Sequence, residues 1–517
     1  MVDSIGTRTL NDLLDERAAL DGGRLAITVE DASGHATRLT YGELRKEVMR
    51  TAGGCQRLGL GHGDAVLVSL GNSVEFVVMW FALARIGAVL VPLNPALTSR
   101  EVAYAARKVG ARAVVARSGD LEVIGAAAGL ARDRWVSVGD PVAGTLGWAE
   151  LSSGSEPVEL PSVADVDVVE IIFTSGTTAE PKGVLITHAN CLRSGEQVAR
   201  SLWLTPEDTA LSALPAFHVN AQSSTILPAL TVGARCVLLE QYSASRYIGQ
   251  LRQHGATVTS LVATQVRTLL RQPPTQADDD HAVKRVFYAI NVTDGEYEEF
   301  ERRFGMRLLN GYGLSEAMTA VTIAPMYGDR GWPSVGLPLV DRLVRIVDSE
   351  GREVPTGEIG EILVGGVPGR SLMRGYHEDP EATEKALRNG WLHTGDFGFL
   401  NERGYLHFVD RKKDMIKRAG ENISASEIES VLLEHPGVTE AAVLGMPDDV
   451  RDELVLAVVA GSDLTVDGVL EHCRERLAPY KVPSRIEIRT GLPRTSIGKI
   501  EKKQLRTELL AAEGSHV

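Results

Sequence analysis

The chain has 517 residues, of which 44% are hydrophobic and 24% are charged, and its formal net charge is −14. This length exceeds what one hydrophobic core supports, so we expect at least two packed domains. The acidic balance argues against nucleic-acid binding, which requires a basic face.

Several features of the sequence predict a cytoplasmic protein. Residues 1–6 are polar and acidic and do not resemble a signal peptide. The most apolar stretch, 76–93, contains Arg85 and predicts a buried helix followed by a buried strand, not a membrane span. The cysteines are too widely spaced for a metal site and too few for a disulfide framework, which fits a reducing compartment: Cys55, Cys191, Cys236 and Cys473.

From Asp64 onward, short apolar strands alternate with segments of helical length. The predicted strands are 65–70, 88–93, 113–116, 210–214, 234–240, 258–263, 286–290 and 306–309. Continuous apolar strands separated by helices are typical of parallel sheets that helices cover on both faces. We therefore predict an α/β fold with a large N-terminal domain of parallel sheets, residues 1–410.

The pattern changes near Asp410, where a smaller unit begins. Ser424 to Glu427 form a capping box that predicts the start of a helix, and a second helix is predicted after Thr465. The predicted strands of this unit are 441–445, 454–460 and 486–488. A hundred residues with this mixture predict a small, separate C-terminal α+β domain, residues 411–517.

A polar stretch, TSGTTAEPKG, occupies residues 174–183 directly after the apolar run 168–173. Its glycines and hydroxyl residues offer hydrogen-bond donors to an anion, and Lys182 adds a positive charge. A solvated surface loop is the alternative, but Pro and Lys at these offsets after a buried strand favour phosphate binding. The stretch is not a P-loop, because Lys182 lies between Pro181 and Gly183 rather than between Gly and Ser or Thr.

Six motifs in this order resemble the signatures of the adenylate-forming superfamily of acyl-CoA synthetases, peptide-synthetase adenylation domains and luciferases. They are FTSGTTAEPKGV (173–184), LPAFHVNAQ (214–222), NGYGLSEA (310–317), HTGDFG (393–398), FVDRKKDMIKRAGENISASEIE (408–429) and PRTSIGKIEKKQLR (493–506). The resemblance covers essentially the whole chain and is strongest to crotonobetaine/carnitine–CoA ligase-like enzymes. It implies that a carboxylic acid is activated with ATP to an acyl-adenylate and then transferred to coenzyme A.

The resemblance implies that ATP, Mg²⁺ and coenzyme A are the cofactors, and it assigns most of their contacts. Glu316 is expected to bind Mg²⁺, which prefers oxygen ligands, and Lys499 to bridge the attacking carboxylate and the α-phosphate. The residues expected to hold the phosphates are Thr174, Ser175, Gly176, Thr177, Thr178 and Lys182. The other residues expected around the nucleotide are Asn310, Gly311, Tyr312 (stacked on adenine), Gly313, Ser315, Asp396 (at the ribose hydroxyls), Phe408 and Arg411.

The remaining assignments concern the acyl group, coenzyme A and domain motion. Phe217 and His218 are expected between the acyl pocket and the nucleotide, with His218 as a catalytic-site gate or polar anchor rather than a general base. Gly420 and Glu421 are expected beside the pantetheine arm, and Lys413 at the hinge of the C-terminal domain. Each residue type also has an ordinary structural use, so these roles depend on the resemblance.

Three alternatives to a complete acyl-CoA ligase stay open at this point. The protein could load a carrier protein, use a preformed acyl-adenylate from a partner enzyme, or bind ligands without catalysis; a homodimer is open as well. No carrier domain with a phosphopantetheine-bearing Ser is found in the sequence, which favours free coenzyme A. The retained motif residues argue against a binding protein: Lys182, Glu316, Asp396, Arg411 and Lys499. Ala179 stands where such phosphate loops usually have glycine, so adenylation is the step to test.

Overall fold

The structure is a computed structural model that divides the chain into two compact units. It describes residues 5–154, 159–174, 181–289, 292–411, 414–418, 421–448, 452–477, 479, 481–494 and 500–514. The first unit consists of Met1–Val344 and Val364–His393, and the second of Arg345–Leu363 and Thr394–Val517.

The first unit contains a nine-stranded sheet whose six inner strands are parallel. From one edge to the other, its strands are Leu337–Pro338, Thr319–Ile323, Arg307–Leu314, Arg285–Ala289, Val258–Val262, Thr209–Ser212, Arg235–Leu239, Leu25–Glu30 and Ala36–Thr40. The edge strands are antiparallel to their neighbours. The inner strands are buried on both faces, which explains their continuous apolar sequences.

A second, eight-stranded sheet of the same unit is parallel except at one edge. Its strands in order are Gly375–Tyr376, Lys182–Thr187, Val168–Thr174, Val89–Pro92, Ala65–Ser69, Ala113–Arg117, Trp135–Val138 and Leu146–Gly147. The sheets confirm the predicted α/β class, and the predicted strands are present with slightly different ends. The largest difference is the strand predicted at 306–309, which continues to Leu314.

Helices of the first unit follow most of these strands, as the alternating pattern predicts. They are Leu10–Asp21, Tyr41–Arg57, Val74–Arg85, Ser99–Val109, Ser118–Ala128, Trp148–Ser152, His188–Ser201, Val219–Ala221, Leu227–Val232, Ala244–Gln253, Ala263–Leu270, Asp294–Phe304 and Pro380–Ala386. Short 3₁₀ turns occupy Arg132–Arg134 and Ser315–Ala317, and Gln222–Ile226 form a π-helical turn. Residues with side-chain oxygens begin several of the helices; Thr187, for example, accepts a hydrogen bond from the backbone N–H of Asn190.

The second unit contains the small α+β domain that the sequence predicts. Its sheet consists of Glu421–Ser424, Met415–Arg418, Asp452–Gly461, Val438–Asp448 and Arg485–Arg489. The strands Val438–Asp448 and Asp452–Gly461 bury side chains on both faces, against the helices Ala425–Leu433 and Val466–Arg476 and against Lys502–Gly514. Successive side chains along a strand point to opposite faces, which is why two strands supply two apolar clusters.

A further five-stranded sheet contains Leu343–Val347, Gly360–Gly365, Trp391–Leu400, Leu387–Arg388 and Leu406–Arg411. The chain passes from one unit to the other within the first three of these strands. The compact units therefore do not coincide with the predicted division at 410/411, because residues 345–363 and 394–410 pack with the second unit. The division at 410/411 and the hinge at Lys413 concern domain motion, and they stay predictions.

Within the part of the chain that the structure describes, no helix combines the length and apolar character needed to cross a membrane. All four cysteines are free and buried.

The strand Val168–Thr174 carries a carboxylic acid into the core of the first unit. Glu170 is fully buried, and the one hydrogen bond of its carboxyl group among the described residues is accepted by Oε1 from Gln222 Nε2 at 2.7 Å. Burial raises the pKa of Glu170 to about 8, although the bond from Gln222 favours the ionised form. The folded protein therefore keeps a proton on Glu170 at a pH where the unfolded chain has released it.

The raised pKa makes the contribution of Glu170 to stability fall as the pH rises. Between its ordinary pKa of 4.5 and the folded value of about 8, the folded state binds one proton more than the unfolded state. Replacing Glu170 by Gln removes this titration and leaves an oxygen that accepts the hydrogen bond from Gln222. We expect Glu170→Gln to gain stability relative to wild type by up to about 1.4 kcal/mol per pH unit across this window.

Thermal unfolding of both proteins between pH 5 and pH 8 checks this expectation. The difference between variant and wild type isolates Glu170, because the other titrating groups are common to both proteins. A constant difference across the pH range would mean that Glu170 does not carry a proton in the core.

Candidate active site

The polar stretch 174–183 joins two antiparallel strands of the second sheet. Thr174 ends the strand Val168–Thr174, and Lys182 begins the strand Lys182–Thr187 directly opposite it. The hydroxyl of Thr174 donates to the Lys182 carbonyl at 3.5 Å. The stretch is thus not a loop throughout, because Lys182 and Gly183 belong to a strand whose following residues, Val-Leu-Ile-Thr, favour extended backbone.

The Tyr376 side chain contacts both Lys182 and Glu316. The Lys182 Nζ lies 4.9 Å from the centre of the Tyr376 ring, and the Tyr376 hydroxyl donates to Glu316 Oε1 at 2.8 Å. All three side chains are partly exposed to solvent. Burial, followed by the nearby Glu316 carboxylate, raises the pKa of Tyr376, so its hydroxyl stays protonated and available as a donor.

Backbone contacts fix the turn that carries Glu316. The turn Ser315–Ala317 follows the strand Arg307–Leu314, and the Glu316 carbonyl accepts a hydrogen bond from Met373 N at 2.7 Å. Arg342 donates to the Ala317 carbonyl at 2.5 Å and also donates to the Ser371 carbonyl. Arg342 is only 5% exposed, and burial, with a smaller effect from a nearby arginine, lowers its pKa to about 9.

The strand before this turn contains the other predicted nucleotide residues of the NGYGLSEA motif. Asn310, Gly311 and Tyr312 are buried, Gly313 is exposed, and Ser315 is partly exposed. Asn310 donates to the Ser334 carbonyl at 3.0 Å. A Cβ atom at Gly311 would lie 2.4 Å from Phe287 Cε2, so glycine lets the neighbouring aromatic ring lie against the strand.

Phe217 and His218 are adjacent aromatic residues in a segment that is held by buried amides. Their rings lie 4.7 Å apart in an edge-on arrangement. Asn72 Oδ1 accepts from Ala216 N at 2.7 Å, and Asn72 Nδ2 donates to the carbonyls of Leu214 and Leu239. After the short helix Val219–Ala221 comes the π-helical turn Gln222–Ile226, a feature that is frequent at functional sites.

The predicted ribose-side residues lie in the second unit on one antiparallel pair of strands. Asp396 is directly opposite Arg411, and Phe408 is opposite Gly398. Asp396 is 6% exposed, and its backbone N–H donates to Thr394 Oγ1 at 3.0 Å. The register therefore brings Asp396 and Arg411, which come from two different motifs, together on one ladder.

Several predicted site residues lie outside the described residues. They are Ser175, Gly176, Thr177, Thr178, Lys413, Gly420 and Lys499, together with the departure at Ala179. Glu421 is described only by its backbone, which pairs with Arg418 at the start of a strand. The segment that contains Lys499 is bounded by Arg494 and Ile500, which form a β-bridge with each other.

The donor set around Glu316 suits a hard divalent cation that also binds phosphate. Among the described residues, no group of three or more His, Cys, Asp or Glu side chains could hold a metal ion by itself. Mg²⁺ commonly takes only one or two protein carboxylates and completes its coordination with water and substrate phosphates. A single partly exposed carboxylate, with one oxygen already fixed by Tyr376, fits this mode of binding.

Sequence reasoning missed the residues that hold this site in place. Tyr376 bonds Glu316, Arg342 bonds the carbonyl of the next residue, Ala317, and Asn72 bonds the backbone of Ala216 beside Phe217; none of the three belongs to a predicted set. Their partners are distant in sequence, so no local spacing marks them.

Comparisons with protein-family models and with known proteins agree along the whole chain. The family model described as "AMP-binding enzyme" matches residues 14–377, and the model described as "AMP-binding enzyme C-terminal domain" matches residues 427–499. The chain is similar to the crotonobetaine/carnitine–CoA ligases of Salmonella arizonae and Citrobacter koseri. Each is 37% identical to it, over 98% of this chain and 100% of the relative.

Solved structures of other proteins share the fold. ATP-bound MatB from Rhodopseudomonas palustris has a TM-score of 0.85 at 28% identity and covers 97% of this chain and 99% of its own. The o-succinylbenzoate CoA synthetase MenE of Bacillus subtilis, in complex with its acyl-adenylate intermediate, has a TM-score of 0.85 at 27% identity and covers 97% and 98%. The anthranilate CoA ligase AuaEII, in complex with anthranoyl-AMP, has a TM-score of 0.87 at 24% identity and covers 98% of both chains, which shows the fold alone.

The close packing at Gly311 gives a prediction about stability. In Gly311→Ala the added methyl group meets the Phe287 ring and the Thr322 carbonyl, the latter at 3.0 Å, so the strand or the ring must shift. We expect a loss of about 1–3 kcal/mol, the usual cost of overpacking a core.

Gly249 provides the matched control. It lies in the helix Ala244–Gln253, and a Cβ there meets no atom within 4 Å. Gly249→Ala should therefore stabilise the protein by about 0.5–1 kcal/mol. Chemical denaturation of both variants measures the two effects, and equal behaviour of the two alanines would contradict the packing described for Gly311.

Proposed function

Because this chain belongs to the AMP-binding enzyme family, we propose that it is an AMP-forming acyl-CoA ligase. In the first half-reaction, a carboxylate oxygen of the acid attacks the α-phosphorus of ATP, and pyrophosphate leaves. In the second, the thiol sulfur of coenzyme A attacks the carbonyl carbon of the acyl-adenylate, and AMP leaves as the thioester forms. The observation that carries the proposal is the arrangement of Lys182, Tyr376 and Glu316, which places a cation and a carboxylate from separate motifs around one ring.

The first half-reaction develops negative charge on phosphate oxygens, so cations and preorganised donors supply most of its catalysis. We assign the phosphates to Lys182 and to the hydroxyl-rich segment that starts at Thr174. Glu316 would hold Mg²⁺, which would supply charge neutralisation between the phosphates. Lys499 would bridge the attacking carboxylate and the α-phosphate, as the family motif implies.

The remaining predicted residues divide between the nucleotide and the acyl group. Tyr312 would stack on adenine, and the Asp396 carboxylate would accept hydrogen bonds from the ribose hydroxyls. Phe217 and His218 would separate the acyl pocket from the nucleotide, with Asn72 holding their segment in position. Rotation of the C-terminal domain about Lys413 would bring Gly420 to the pantetheine arm for the second half-reaction.

Acyl-CoA formation by the purified protein tests the proposal directly. Each reaction contains ATP, Mg²⁺, coenzyme A and one acid, and AMP and the thioester are measured. The panel contains the acids named for relatives and neighbours, namely crotonobetaine, carnitine, o-succinylbenzoate, anthranilate and benzoate, together with short aliphatic acids. We expect AMP and acyl-CoA in equal amounts with at least one acid.

A parallel set of reactions with synthetic acyl-adenylates separates the alternatives. Thioester from the adenylates alone, across the whole panel, would reject the proposal in favour of an enzyme that depends on a partner for adenylation. Acid-dependent AMP formation without transfer to coenzyme A would indicate a different thiol acceptor, such as a carrier protein.

Lys499 gives a prediction that distinguishes the two half-reactions. In Lys499→Ala, acid-dependent pyrophosphate release should fall by about 10²-fold or more, because a cation is removed from the developing charge. Thioester formation from a supplied acyl-adenylate should remain close to wild type. Lys503→Ala is the matched control, because Lys503 is an exposed lysine of the next helix and should leave both rates unchanged. Equal loss of both activities in Lys499→Ala would mean that Lys499 serves the structure rather than adenylation.

A further inference from the structure

Tyr376 connects two charged groups that do not contact each other. Its hydroxyl donates to the Glu316 carboxylate, and its ring faces the Lys182 ammonium. Between the described residues Lys182 and Glu316 there is no ion pair. One side chain therefore contacts both charged groups, the ammonium with its ring face and the carboxylate with its hydroxyl.

This separation matters because both charged groups have ligands to bind. An ammonium and a carboxylate within about 4 Å of each other attract strongly at the edge of a protein, and breaking such a pair would cost part of the binding energy of the ligand. A tyrosine between them offers each group a weaker, complementary contact. The ring face attracts a cation, and the neutral hydroxyl donates to a carboxylate.

The position of Tyr376 is fixed by contacts on both sides of its backbone. The strand Gly375–Tyr376 pairs with Lys182–Thr187, with Tyr376 opposite Val184. The backbone N–H of Tyr376 donates to Thr383 Oγ1 at 2.9 Å, and that of His377 donates to the Gly183 carbonyl at 2.7 Å. Its ring is therefore held relative to the start of the strand that carries Lys182.

The same segment also holds the backbone of Glu316. Met373 N donates to the Glu316 carbonyl, and Arg342 joins the next carbonyl, that of Ala317, to the Ser371 carbonyl. Residues 371–377 thus contact both the Glu316 turn and the Lys182 strand. A tyrosine on this segment has a fixed distance to both charged groups.

We propose that Tyr376 is a positioning residue for adenylation: its hydroxyl orients the Glu316 carboxylate for Mg²⁺, and its ring keeps Lys182 apart from Glu316 and directed to phosphate. The inference rests on the proposed function, since it takes Mg²⁺ and ATP as the ligands of these two groups. It predicts that the hydroxyl and the ring of one side chain have separable effects.

Equilibrium binding of ATP, measured by titration calorimetry with Mg²⁺ and with EDTA, separates the two effects. The ratio of the two affinities reports how strongly Mg²⁺ and ATP bind together. Tyr376→Phe keeps the ring and removes the hydroxyl, so this ratio should fall by about tenfold, the size expected for a lost partner of a metal ligand. ATP affinity in EDTA should stay at the wild-type value.

Tyr376→Leu removes the ring as well and should also lower ATP affinity in EDTA, because Lys182 can then turn toward Glu316. Tyr242→Phe is the matched control: it removes a hydroxyl that bonds Thr268 Oγ1 at 2.8 Å, away from both charged groups, and should leave both affinities unchanged. Thermal unfolding of each variant confirms that it is folded.

Glu316→Ala completes the test, because a positioning residue acts only through its partner. Tyr376→Phe should lower the Mg²⁺ dependence in the wild-type background and have no further effect in Glu316→Ala. A wild-type Mg²⁺ dependence in Tyr376→Phe, or an equal fall in both backgrounds, would overturn the inference while leaving the ligase function intact. A wild-type protein that binds no ATP would instead reject the proposed function, and the inference with it.

Discussion

The contacts of residues 371–377 are the constraint on which the candidate site depends. This segment pairs a short strand with Lys182–Thr187, the second strand of a hairpin, and it forms hydrogen bonds with the backbone of the Glu316 turn. The hairpin and the strand before the turn belong to different sheets of the first unit, so strand pairing alone does not set the distance between Lys182 and Glu316. Arg342 joins the segment to the turn, since its buried guanidinium donates to the carbonyls of Ser371 and Ala317 and to no carboxylate among the described residues. The predicted phosphate and metal residues therefore depend on a segment that none of the predicted motifs includes.

The architecture follows from sequence where local chemistry decides the structure. Ala113–Arg117 was predictable because its apolar run, residues 113–116, lies between polar segments and has few alternatives to a buried strand. Ala425–Leu433 was predictable because Ser424 caps its first turn. The antiparallel strands Ala36–Thr40 and Thr319–Ile323 were not predicted. Their sequences mix polar and apolar residues, and only pairing with a distant neighbour makes them strands.

The candidate site follows the same division. The motif residues Lys182, Glu316 and Asp396 were assigned to the candidate site by resemblance, whereas Tyr376 and Asn72 were not assigned. Asn72 is separated by more than a hundred residues from the segment it holds. Tyr376 bonds Glu316 from a short strand that pairs with Val184, a residue distant from both in sequence. Groups that bind ligands are confined to short motifs by their chemistry, but groups that position them can come from any part of the chain that the fold brings near.

The central claim is that this chain itself forms the acyl-adenylate, and isotope exchange tests it most directly. Radiolabelled pyrophosphate is incubated with the protein, ATP, Mg²⁺ and an acid in the absence of coenzyme A, and label entering ATP is measured. Reversal of adenylation is the one route to such exchange that requires the acid. The account predicts exchange that depends on both the acid and Mg²⁺. It is contradicted if no exchange occurs with any acid whose synthetic adenylate the protein converts to acyl-CoA.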